Sequence, residues 1–163
     1  YPDLPMEKVY PRVPRTDVAQ AFMREVGKGR VVYFPWDVDR TFWEILDADH
    51  GALLRNAVTW ATNESPVVRV TGPGVLDVAV WRQARSMTVH LVNLTNPMMM
   101  KGPVRELLAV GPQAVQVRLP EGKKVRGVRL LVAGGEVKAE QVGGMLSLVV
   151  PSVLDHEVVA ITL

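Results

Sequence analysis

Cysteine is absent from all 163 residues of this chain. That excludes disulfide frameworks, thiolate nucleophiles and cysteine-based zinc sites, and it leaves the cellular compartment open, because exported bacterial proteins also lack cysteine in many cases. No apolar run approaches the roughly 18 residues of a membrane-spanning helix, so no membrane role is expected. Charge of one sign is scarce as well. Nineteen basic against seventeen acidic residues give a net +2, and Lys123-Lys124 is the only adjacent basic pair. Without a basic patch there is no nucleic-acid footprint. A Gly-x-Ser-x-Gly elbow is missing too, and with it the usual sequence mark of a serine hydrolase.

What is present changes its pattern near Ser65-Pro66. Before that point the chain reads as helix, strand and helix. The prolines at 2, 5, 11 and 14 make the opening an extended, surface-following segment. Asp17 stands as an N-cap with Gln20 in the capping-box place, and Val18, Phe22 and Val26 follow at helical spacing up to Gly27. The nearly continuous apolar run Val31–Pro35 predicts a strand buried on both faces. A turn or short helix is expected through Thr41–Leu46. A longer helix opens at Asp49, with Leu53, Leu54, Ala57, Val58 and Ala61 on one face. These elements are too few for a complete layered α/β domain.

From Pro66 the hydrophobic period becomes two. Leu76, Val78 and Val80 alternate with polar or small residues, as do Met87, Val89 and Leu91, then Val115, Val117 and Leu119. Val128, Leu130 and Val132 follow, then Leu146, Leu148 and Val150, and finally Val159, Ile161 and Leu163. Gly-Pro and Gly-Gly pairs divide these runs. Seven or eight short strands of this kind predict an antiparallel β-sandwich of immunoglobulin-like type. The fold class expected is thus α+β in two parts: a partial α/β segment over residues 1–65 and a β-sandwich over residues 66–163. The loop Asn93–Arg105 carries Met98, Met99 and Met100, which are expected to pack against the sandwich end.

The densest group of functional residue types is Trp36-Asp37-Val38-Asp39-Arg40, with Trp43, Glu44 and His50 close behind. If Val31–Pro35 is a parallel strand, this group follows its C-terminal end, where open α/β sheets place ligands. Trp36 or Trp43 would stack on a sugar ring, and Asp37, Asp39 or Glu44 would clamp its hydroxyls. The structural alternative pairs Asp with Arg40 at a loop corner and packs the tryptophans under the helices. Trp81 alternates with core positions and is expected to face outward, as a carbohydrate or interface contact. Asp37 and Asp39 share one local turn, which does not frame the sugar-sized cleft a glycosidase pair needs. Asp155-His156-Glu157 suggests a metal, yet on a strand only Asp155 and Glu157 share a side, so neither a metal nor any other cofactor is expected. No catalytic residue stands out. The triplets at Asn63 and Asn93 match a glycosylation pattern short enough to arise by chance.

The stretches Gly29–Glu44 and Asp49–Ala61 resemble the end of the β-galactosidase trimerisation-like domain, which has a class I glutamine-amidotransferase-like α/β fold. Val89–Pro103 and Val150–Ala160 resemble the β-domain that follows it in bacterial glycoside hydrolases with an N-terminal barrel. The resemblance covers nearly the whole chain. It implies a fragment whose catalytic carboxylates lie in an upstream barrel, with no catalytic residue among the present ones. It also implies an assembly role for residues 1–65, in contact with that barrel or with further copies of the chain. The alternative expectation is a carbohydrate-binding sandwich using exposed aromatics.

Overall fold

The computed structural model describes residues 17–45, 47–96 and 103–163. The opening segment and Met98–Met100 therefore lie outside the described residues. The chain forms two compact units that divide between Ser65 and Pro66.

The first unit begins with a hairpin where a helix was expected. Strand β1 (Phe22–Val26) pairs antiparallel with β2 (Gly29–Tyr33), matching Phe22 with Tyr33 and Val26 with Gly29. The two-residue turn explains the outcome. Gly27 takes a φ of +59° at the first central position, where a primed hairpin turn favours glycine. The spacing of Phe22 and Val26 fits a helix face, but it also puts Phe22, Arg24 and Val26 on one face of a strand. The Phe22 and Tyr33 rings then meet across the ladder with centroids 6.2 Å apart. Strand β2 is not buried on both faces either: Val31 and Tyr33 are exposed, and only the Arg30 and Val32 side is partly covered.

Two helices follow. The first, α1 (Val38–Ile45), carries Val38, the sole buried hydrophobic residue among those described in this unit. The second, α2 (Ala48–Thr62), starts one residue before the expected Asp49. Asp47 is its N-cap and accepts from the backbone amides of Asp49 and His50 at 2.9 and 3.1 Å. Asn63 closes it in the left-handed region, φ +52°. Gly51 of α2 lies against the Phe42 ring of α1, so closely that an added Cβ would stand 2.9 Å from ring carbon Cε2.

The second unit is a sandwich of two four-stranded antiparallel sheets. One sheet orders β4 (Leu76–Arg82), β5 (Ser86–Asn93), β10 (His156–Thr162) and β7 (Gly127–Leu130). The other orders β3 (Val68–Thr71), β6 (Gln113–Arg118), β9 (Met145–Val150) and β8 (Ala139–Val142). The alternation seen in the sequence is what builds the core. Met87, Val89, Leu91, Val159 and Ile161 of the first sheet face Val115, Val117, Leu146, Leu148 and Val150 of the second. Each fully buried aliphatic side chain contributes about 1.5–3 kcal/mol of transfer free energy. Val132, expected to continue β7, is instead exposed beyond the strand's end.

Candidate functional site

The group around Trp36 does not converge on a ligand. Trp36 is half-buried. Its indole N–H donates to the Gln20 carbonyl at 3.0 Å, and its ring meets Phe34 and His50 edge-on at 6.4 and 5.6 Å. It thus joins the chain before β1 to the start of α2. Asp37 and Asp39 are exposed, and the Asp37 carbonyl accepts from the Thr41 amide in the first turn of α1. Arg40 donates to Glu44 at 3.0 Å, one helical turn away. That hydrogen bond, then the charges of Glu44 and Asp37, raise the guanidinium pKa above its ordinary value. Trp43 stands more than half exposed on the same helix. Trp60 is occupied too, with the Arg30 guanidinium 5.2 Å above its ring.

Trp81 presents a different picture. It is 64% exposed on the outer face of the first sheet. The register aligns it with Thr88, Ala160 and Arg129 in one row across four strands. Ala79 and His90 make the next row, and Thr88 Oγ1 lies 3.2 Å from His90 Nε2. Its neighbours along the strand and across the ladder, Ala79 and Thr88, are small, and the side chain is largely exposed to solvent, as stacking on a ligand requires.

Of the run Asp155-His156-Glu157, only Glu157 turns to the core side of β10, and Asp155 precedes the strand. Asp155 and His156 are exposed, 3.5 Å apart, while Glu157 is buried on the core side in line with Val159 and Ile161. Its carboxylate accepts three backbone amides: Oε1 from Val132 and Val158 at 2.9 and 2.8 Å, and Oε2 from Ala133 at 2.9 Å. This residue is a clamp that fastens the chain leaving β7 to β10. The alternation places it inward, but only the distant Val132–Ala133 amides explain why a carboxylate belongs there. No group of three metal-binding side chains occurs among the described residues.

Asn93 is a second clamp. It is buried at the end of β5, and its amide donates to the carbonyls of Leu108 and Leu154, both at 2.7 Å, while its oxygen accepts from the Thr95 amide at 3.0 Å. With its amide so engaged, the triplet at Asn93 is a structural device. Gln113, also buried, donates to the Pro73 carbonyl at 2.7 Å and holds the turn before β4.

No family model matches the chain, and no curated protein matches it by sequence. Among solved structures, it is similar to alpha-L-fucosidase isoenzyme 2 from Paenibacillus thiaminolyticus, with a TM-score of 0.66 and 20% identity. The match covers 86% of this chain and 21% of the fucosidase. A cycloisomaltooligosaccharide glucanotransferase from Paenibacillus sp., complexed with cycloisomaltoheptaose, matches with a TM-score of 0.47 and 16% identity over 58% of this chain and 16% of its own. The chain thus spans about a fifth of the fucosidase it matches, and what it shares with a domain region of a glycoside-active enzyme is its fold.

Proposed function

We propose that the chain is a non-catalytic assembly and accessory region of a glycoside-hydrolase-like protein. In this reading residues 1–65 are the assembly element, of the trimerisation-like kind that the sequence resembles, and residues 66–163 are the accessory sandwich. The observation that carries it is the outer face of the hairpin. Phe22, Val26, Val31 and Tyr33 are each at least half exposed there, and among the described residues the outer edges of β1 and β2 have no strand partner. Apolar side chains beside open backbone edges form a surface for another polypeptide. The partner is an upstream barrel in a longer chain and a second copy when this chain is alone. The fold shared with part of the fucosidase supports the accessory role.

Light scattering on the full chain tests the assembly part. Self-association that Val31→Lys abolishes is the expected result, and a monomer at every concentration would sink it. Turnover of aryl glycosides that disappears in a folded Asp37→Asn or Glu44→Gln variant would overturn the non-catalytic part.

A second reading, carbohydrate binding by the sandwich, is favoured by one observation, the exposure of Trp81 on the outer face of its sheet. Trp36 does not contribute to it, since its indole is engaged within the first unit. Loss of oligosaccharide binding in Trp81→Ala, with the fold intact, is its test.

A further inference from the structure

The outer face of the second sheet carries a groove of about 790 Å³, bounded by side chains of β3, β6, β9 and the β8 end. That volume falls within the roughly 300–1,000 Å³ of small-molecule sites. Its floor and walls follow from the register. Arg69 pairs with Gln116, Gln116 with Ser147, and Ser147 with Glu140, so four polar side chains stand in one row across all four strands. With strands about 4.8 Å apart, this row is roughly 14 Å long. Arg69 and Glu140 occupy its two ends, too far apart to neutralise each other. The adjacent row, Thr71, Ala114 and Val149, is small and apolar at its centre. All these side chains but the half-buried Ser147 are exposed, and Lys138 closes the wall beside Val149.

A hydrogen-bonding row beside a low apolar row has a definite chemical complement. A pyranose ring offers hydroxyls around its rim and C–H groups on its face. Guanidinium, carboxylate and amide side chains suit pairs of neighbouring hydroxyls, because each presents two donors, two acceptors or one of each. The groove's charged side chains are of both signs, Arg69 and Lys138 against Glu140, so it matches neither a uniformly anionic nor a uniformly cationic chain along its length. We infer that this groove binds a short neutral oligosaccharide laid across the four strands, with ring faces on Ala114 and Val149 and hydroxyls toward Gln116, Ser147, Arg69 and Glu140. This site lies on the opposite sheet from Trp81 and rests on neither reading above.

The test is an amide-resolved NMR titration of the full chain with maltohexaose, cellohexaose and xylohexaose, each up to about 10 mM, which detects even millimolar affinity. At least one should perturb Gln116, Ser147 and Glu140 together in a saturable way. Gln116→Ala and Arg69→Ala, both exposed and harmless to the core, should each weaken that binding about 5- to 10-fold, as loss of one or two hydrogen bonds predicts. Trp81→Ala should leave it unchanged. Shifts confined to Trp81, Thr88 and His90 would overturn the groove and support the Trp81 reading. Silence with all three sugars would overturn it, as would groove shifts that follow protein concentration and not sugar, since a second copy would then cover the face.

Discussion

Glu157 shows how one residue can hold an element in place. Three backbone N–H groups point at its buried carboxylate, two of them from the chain leaving β7. Glu157→Ala strands those donors and should cost about 1–3 kcal/mol in urea denaturation, since unsatisfied buried groups carry their full desolvation penalty. Glu157→Gln should cost less than alanine but still destabilise, because its NH₂ would face an amide donor where Oε2 accepted one. Equal stability of the Gln variant and the parent would contradict the clamp. Asp155, two residues earlier, responds to pH instead. The His156 amide donates to its Oδ1 at 2.7 Å, and this bond, followed by its own amide, lowers its pKa below the usual carboxylate value. A depressed folded pKa adds stability above the unfolded pKa of about 3.9 and loses it as pH falls through the folded value. Melting curves of the parent and Asp155→Asn should therefore differ at about pH 5, where the carboxylate is ionised, and converge in stronger acid. An offset that persists unchanged below the carboxylate range would refute it.

At the scale of elements, legibility followed the strength of the period. Strands β5, β6 and β9 alternate because both sheets bury one face, and β10 keeps that period at Val159 and Ile161 although Val158 is buried as well, so these core positions were readable from the sequence. Strand β8, with the sequence Ala139-Glu140-Gln141-Val142, is exposed throughout, so it carried no apolar signal. Strand β3 offers only Val68 and Val70, too short a run to stand apart from the loop before it. The β1 hairpin was missed for another reason: with no residue of β1 buried, its apolar residues obey no burial period, and the chance helical spacing prevailed. Trp36 and Arg40 were legible as a cluster of residue types, but their partners, Gln20 and Glu44, only the fold discloses. The groove could not be read either, because cross-strand rows depend on a register that the sequence does not reveal. Turns carry their own test. Gly74 has a φ of +89°, and a Cβ there would lie 2.7 Å from both Thr95 Oγ1 and Val110 Cγ1. Thr95 Oγ1 also accepts the Val75 amide, at 2.9 Å. Gly74→Ala combines backbone strain with that close contact and should destabilise the sandwich by about 1–3 kcal/mol. Gly122→Ala, at φ +70° in open space, supplies the strain-only comparison and should cost less.

The whole molecule divides its stability unevenly. The sandwich has a continuous buried core drawn from both sheets, whereas the described part of the first unit buries one hydrophobic side chain, Val38. Local opening free energies track buried apolar contact, so the first unit belongs to the low-stability end of the protein. If its hairpin face is an assembly surface, protection there should depend on association. Hydrogen–deuterium exchange on the full chain, followed over a concentration series, measures both effects at once. Amides of β5, β6, β9 and β10 should exchange slowest, at a rate independent of concentration. Amides of β1 and β2 should exchange fast when dilute and slow down as copies associate and pair the open edges. Val31→Lys should hold the hairpin at its dilute rate at every concentration while leaving the sandwich untouched. A hairpin as protected as the sandwich in dilute solution would mean that its outer face is already covered within one molecule, and self-association through residues 1–65 would then fail.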